Sequence, residues 1–176
     1  MTEKTLVLVK PDGVQKKIVG DIIARFEKVG LNLVALKMIA ADQQTVEQHY
    51  IADEAWMENL GKKARASYEA KGMDFPVTDM EHGQKVRAQL MDYLGMGPVV
   101  AMVLEGEGAV KLVRKLVGST EPASSAPGTI RGDHALESYQ LADNLDRPVY
   151  NVIHASGEVE EAAREIPIWF SDHEIV

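Results

Sequence analysis

Asn151-Val152-Ile153-His154-Ala155-Ser156 sets a short β-branched run before one histidine, with small residues behind it and the acidic Glu158, Glu160 and Glu161 following. The stretch reads as a strand, Val149 to Ile153, that ends at His154 and turns into a helix over Glu158 to Ile166. As the fourth strand of the chain it decides the fold. A strand end is also where a side chain can leave the core and meet a substrate.

Working outward, three more strands precede it. Thr5 to Val9 is a continuous apolar run, ended by the turn chemistry of Lys10-Pro11-Asp12-Gly13. Leu31 to Met38 alternates, with Leu31, Leu33 and Ala35 on one side and Asn32, Val34 and Leu36 on the other. Pro98 to Leu104 is the third. Between them Val19, Ile22, Ile23 and Phe26 fall at helical spacing before Gly30, and Ala109, Leu112, Val113 and Leu116 do so before Gly118. From Asp42 to about Leu94 the pattern is mostly helical and polar. Asp53 caps a face of Trp56, Leu60, Ala64 and Tyr68, Gly72 to Gly83 reads as a loop, and Val86, Leu90 and Tyr93/Leu94 form a further stripe. Ser119 to Gly128 reads as an extended loop, and 134 to 147 is polar and weakly patterned. Ile168-Trp169-Phe170 is an apolar anchor before a polar tail. The order β-α-β-(helical insert)-β-α-β-α predicts an α+β fold of the ferredoxin-like βαββαβ type. Its sheet has four antiparallel strands, helices on its faces and an enlarged helical insertion.

The totals narrow the function. A chain of 176 residues, 45% hydrophobic and 26% charged, suits one globular domain with its own core. The absence of cysteine removes disulfides, thiolate nucleophiles and cysteine-bound zinc, and fits a cytoplasmic protein. The N-terminus runs directly into a strand pattern, unlike a signal peptide. The longest apolar run, Val99 to Leu104, is far short of the ~20 residues of a membrane helix. A formal net charge of -8 argues against nucleic acid as the main partner. It leaves room for a small anionic ligand in a local cationic pocket.

Taken singly, the candidate residues have plain structural readings. Lys10 is a solvated charge at a strand end, and Arg114 a snorkelling arginine on an apolar helix. Arg131 is a loop residue between glycines, Thr120 a turn cap, His154 a packed imidazole. The histidines show no metal-ligand spacing, and there is no P-loop, GxGxxG or nucleophile elbow. Taken together they fit phosphoryl transfer, which asks mainly for positioning and charge stabilisation. Arginine forks suit phosphate oxygens, a lysine adds a point charge, and a neutral imidazole can accept a phosphoryl group and pass it on. That imidazole needs its other nitrogen held, and Glu165 in the following helix can hold it.

Thr5–Val14, Gly97–Gly106, Val110–Thr120, Ala126–Asp133 and Asn151–Ser156, with Glu161–Ile166 and Trp169-Phe170, resemble in order the nucleoside diphosphate kinase family. The resemblance implies that His154 takes the γ-phosphate from a nucleoside triphosphate and gives it to a nucleoside diphosphate. Glu165 orients the ring and Ser156 supports it. Lys10, Tyr50, Arg114, Thr120 and Arg131 would contact the phosphates, and Asn151 the sugar. Counting back from Gly97-Pro98 puts Val86 and Leu90 at the base-stacking positions, with Val86 where the family usually has an aromatic. Mg2+ would arrive with the nucleotide. The partners implied are ATP and other nucleoside di- and triphosphates, and a homo-oligomer, tetramer or hexamer, with Ser119 to Gly128 near the subunit contacts. Insertions at about 51–90 and 134–148, Gly157 in place of an aspartate, and Pro167 after Glu165-Ile166 depart from the common short form. The insertions motivate an alternative reading, a catalytically weak nucleotide-binding regulatory homologue.

Overall fold

The computed structural model describes residues 2–70 and 72–176. Four strands, β1 (Thr2–Val9), β2 (Asn32–Ile39), β3 (Val99–Glu107) and β4 (Ile153–Ala155), form one antiparallel sheet in the order β2-β3-β1-β4. This is the ferredoxin-like order expected. Both faces of the sheet are covered, which is why Thr5–Val9 is a continuous run rather than an alternation. On one face α2 (Val19–Lys28) and α6 (Ala109–Val117) press Ile22, Phe26, Val113 and Val117 onto Val7, Val9 and Met102. On the other, α3 (Gln43–His49), α5 (Asp79–Gly95) and α9 (Val159–Trp169) bring Val46, Leu94 and Trp169 to Leu6, Leu8 and Val103.

The structure corrects several boundaries. The alternation of β2 breaks at a bulge between Leu33 and Ala35, so Leu33 packs with the first core while Val34 and Ala35 both join the second. The loop ends earlier than Gly83, because Thr78 and Glu81 form a capping box that starts α5 at Asp79. The polar stretch after Gly128 holds two short helices, α7 (Ile130–His134) and α8 (Tyr139–Asn144), and Pro122–Ser124 is a 3-10 turn within the expected loop. The last strand is Ile153–Ala155, not Val149 to Ile153, so His154 lies inside it. Pro167 does not stop α9. The helix runs on to Trp169, where the Phe170 N–H donates to Ile166 O at 2.9 Å.

α4 (Glu54–Ala70) starts at the expected cap, with the Trp56 N–H donating to Asp53 Oδ1 at 2.8 Å. It pairs with α5 as a long hairpin. The two helices meet at Gly61 and Gly83, where an added Cβ would strike the backbones of Asp79 and Met57 respectively. Among the described residues no helix is long and apolar enough to cross a membrane.

Candidate active site

The site is built around an unusual piece of backbone. Lys10 follows β1 and opens α1 (Pro11–Gln15), and its N–H donates to Val152 O at 2.9 Å. Val152 sits at φ 59, a left-handed conformation that is costly for a β-branched residue and persists only where its surroundings enforce it. Those surroundings are specific. The Val152 N–H donates to Asp12 Oδ2 at 3.2 Å. The Tyr93 hydroxyl donates to Asp12 Oδ1 at 2.7 Å and accepts the Asn151 N–H at 3.0 Å. Arg131 closes the other side, with Nε donating to Asn151 O at 3.2 Å and Nη2 to Ile153 O at 2.7 Å. The chain therefore turns sharply before His154, and Asn151 and His154 come to one place.

His154 pairs with Leu8 across β1–β4 and hands one nitrogen to α9. Its Nε2 lies 2.9 Å from Glu165 Oε2, and the Ser156 hydroxyl donates to the same oxygen at 2.7 Å. An ionised carboxylate only accepts, so Nε2 carries the proton and Nδ1 keeps its lone pair. Arg164 Nη2 donates to Glu165 Oε1 at 3.3 Å. Burial raises the Glu165 pKa against the opposing pull of His49, Ser156 and Arg164. Burial also lowers that of His154, and the Lys10 charge pushes it the same way, so the ring stays neutral.

The cations surround this ring. Lys10 Nζ donates to Asn151 Oδ1 at 2.9 Å and sits 4.7 Å above the Tyr93 ring. Burial, then the neighbouring Arg131, lowers its pKa to about 7. Arg131 is buried and donates also to Ser119 O at 2.9 Å; burial and Arg114 lower its pKa to about 10, so it stays charged. Arg114 Nη1 donates to Ala155 O at 3.3 Å, and Thr120 O accepts from Asn151 Nδ2 at 2.9 Å. Tyr50 lies edge-on to His49 with centroids 4.8 Å apart, and burial, then Glu165, raises its pKa. A cavity of about 300 Å³ opens at the nucleophile, lined by His49, Tyr50, Trp56, His154, Glu161 and Glu165. A larger one of about 520 Å³, between α3 and α5, is lined by no nucleophile.

Eight of the ten expected site residues thus gather. Val86 and Leu90 stand apart, half-buried one turn from each other on α5, on the stripe that Gly83 turns to α4. Sequence reasoning missed Asp12 and Tyr93, because Pro-Asp-Gly reads as an exposed turn and Tyr93 as core. It also passed over His49, which is 3% exposed and accepts from Trp169 Nε1 at Nδ1 (3.3 Å). The Nε2 of His49 is buried with no hydrogen-bond partner. Nothing near His49 in sequence signals this; the contact comes from α9. The departure at Gly157 is offset in place, since its N–H donates to the Glu161 carboxylate.

His49, His154 and Glu165 also bring ligand atoms within 4.8 Å of one another. His154 and Glu165 are engaged with each other, and His49 spends Nδ1 on Trp169 while its Nε2 has no hydrogen-bond partner. They offer imidazoles and one occupied carboxylate, not the set of free oxygens Mg2+ takes.

The family model for nucleoside diphosphate kinase matches residues 3–59 and 79–175. A nucleoside diphosphate kinase of Pyrobaculum aerophilum is 45% identical over 99% of this chain and 98% of its own. One of Borreliella burgdorferi is 38% identical over 100% and 92%. Among solved structures, an NDP kinase from Pyrobaculum aerophilum superposes with a TM-score of 0.94 at 44% identity, covering 100% of both chains. A Borrelia burgdorferi enzyme with bound vanadate and ADP, a transition-state mimic, gives 0.81 at 38% identity over 99% of this chain and 90% of its own. A family model that matches most of the chain, relatives alike over its whole length and a shared fold agree: this chain belongs to the nucleoside diphosphate kinase family.

Proposed function

We propose that this nucleoside diphosphate kinase transfers the phosphate through Nδ1 of His154. The observation that carries the reading is the division of labour on one ring: Nε2 is tied to a buried carboxylate, which leaves Nδ1 with its lone pair, and Lys10, Arg131 and Arg114 all act on the ring's charge. Nδ1 attacks the γ-phosphorus of a nucleoside triphosphate. The P–O bond to the β-phosphate breaks, and the departing diphosphate keeps the electron pair. Glu165 stabilises the positive charge that the phosphorylated ring then carries. In the second half the terminal oxygen of a different diphosphate attacks the phosphohistidine, and the imidazole returns to neutral. Lys10, Arg114 and Arg131 balance the charge spread over the phosphate oxygens, the contribution on which such transfers chiefly depend. Thr120 and Tyr50 add hydroxyls to the phosphates, and Asn151 binds the sugar; Val86 and Leu90, which stand apart from this group, carry no role in the transfer. Mg2+, arriving with the nucleotide, would neutralise part of the phosphate charge.

The chain acts as one domain, on ATP and other nucleoside di- and triphosphates, in a cytoplasmic setting suited to a sequence without cysteine. It works as a homo-oligomer, tetramer or hexamer. Edge strand β2 supports that reading by leaving Leu36 and Met38 48% and 62% exposed. Initial rates with ATP and a second diphosphate test the function. Parallel double-reciprocal lines, lost in His154→Ala, are expected. Nucleotide binding without exchange would leave only the regulatory alternative.

A further inference from the structure

His49 is the last residue of α3 and lines the cavity at the nucleophile, yet it is only 3% exposed. Two side chains of α9 tie it down. Arg164 Nη1 donates to Gln48 O at 3.3 Å and to His49 O at 3.4 Å, while its Nη2 donates to Glu165 Oε1 at 3.3 Å. The Trp169 Nε1–H donates to His49 Nδ1 at 3.3 Å. An indole only donates, so Nδ1 accepts and the proton of the neutral ring lies on Nε2. Burial, then the neighbouring His154, holds the His49 pKa well below that of a free histidine, so the ring is neutral. Its buried Nε2–H has no acceptor, and an unpaired buried donor is a cost to folding. Apart from serving Trp169, an imidazole here gives the fold little that an apolar ring would not.

What the ring touches is the nucleophile. It meets the His154 ring edge-on, with centroids 4.6 Å apart and planes at 83°. Tyr50 and Trp169 close in on His49 at centroid distances of 4.8 and 5.7 Å, which leaves its ring little room to move. His49 Nδ1 lies 3.7 Å from Glu165 Oε1, too far for a hydrogen bond. His49 therefore takes nothing from the carboxylate. Oε2 keeps His154 and Ser156, and Oε1 keeps Arg164. Removing the His49 ring would open space beside both His154 and Glu165.

We propose that His49 is a positioning residue for the transfer, a wall against the His154 ring that keeps Nε2 on Glu165 and Nδ1 in line with the incoming phosphorus. This rests on His154 being the nucleophile. One hydrogen bond holds the His154 imidazole but lets the ring swing about it, and a packed neighbour set edge-on removes that freedom. Trp169 in turn fixes the wall. A displacement of about 1 Å at a reacting group can cost on the order of a hundredfold in rate. Being buried, His49 offers the nucleotide almost no surface, so its role falls on rate and not on binding.

The test combines single-turnover labelling of the full-length protein by γ-labelled ATP with isothermal titration of ADP, for the wild type and for His49→Ala, His49→Asn and His49→Phe. Asparagine keeps an acceptor for Trp169 and loses the ring, whereas phenylalanine keeps the ring and loses the acceptor. His49→Ala and His49→Asn are expected to take label about tenfold or more slowly, with Kd for ADP within about twofold of wild type. His49→Phe is expected to recover most of that rate while its urea midpoint falls, because the Trp169 N–H is left unpaired. Should His49→Ala not fold, His49→Asn and His49→Phe carry the comparison. Wild-type rates in the ringless variants would overturn the proposal and make His49 a core residue only. Equal losses of rate and ADP affinity would overturn it too, as would a His49→Phe as slow as His49→Asn. Failure of the wild type itself to take label would count against His154 as the nucleophile instead.

Discussion

Each nitrogen of His154 has one role, and the pKa of the lysine beside it makes the pocket sensitive to pH. Burial, then Arg131, brings Lys10 to about 7, and an arriving polyphosphate raises it again. Below pH 7 Lys10 is already charged, so ADP affinity is flat. Above pH 7 binding has to take up a proton, and Kd for ADP rises by up to about tenfold per pH unit. Calorimetry at pH 8 in buffers of different ionisation enthalpy should record net proton uptake, and Lys10→Arg, which stays charged, should abolish it. His154 behaves in the opposite sense. Its lowered pKa keeps it neutral through the range where a free histidine would titrate, so the transfer rate at saturating nucleotide, where Lys10 stays charged, should show no step near pH 6.5. These roles were legible in the sequence only in part. Lys10, Arg131 and His154 stand out as residue types, but the buried Asp12 and Tyr93 that hold the turn before His154 are distant in sequence and look ordinary.

At the scale of elements, the strands were read well where a run of apolar residues was long, as in β1 and β3. They were read poorly where one backbone irregularity changes the pattern. The bulge in β2 flips Ala35 to the other face, and Val152 at φ 59 delays β4 until Ile153. Neither leaves a mark in composition, because a bulge adds no special residue and valine is a poor signal for a left-handed turn. The start of α5 was legible in principle, since Thr78-x-x-Glu81 is a capping-box pattern, but Gly83 drew the reading to a loop. Gly83 is instead a packing device. Gly83→Ala should push α5 off the Met57 backbone and cost about 1–3 kcal/mol, read as a lower midpoint in urea. His154 phosphorylation should survive it, because Gly83 touches none of the phosphate ligands.

For the whole molecule, the fold was settled by the order of elements, and the family by blocks that keep that order. A net charge of -8 coexists with a local group of cations, so overall charge bears on nucleic-acid binding and says little about a small anion. The C-terminal tail covers part of the β2 edge, with the Val176 N–H donating to Val34 O at 3.0 Å, and leaves Met38 exposed. Met38→Lys on β2 should leave the far-UV circular dichroism unchanged, because the side chain is exposed, and should move the sedimentation coefficient toward smaller species. An unchanged coefficient would place the subunit contacts elsewhere.

The claim on which the rest depends is that His154 carries the phosphate. Incubation with γ-labelled ATP and Mg2+, followed by peptide mapping, measures this directly. The mechanism predicts one acid-labile, base-stable phosphate on the peptide containing His154, discharged on adding a nucleoside diphosphate and absent from His154→Ala. Label that persists in His154→Ala, or that is stable to acid, would contradict it.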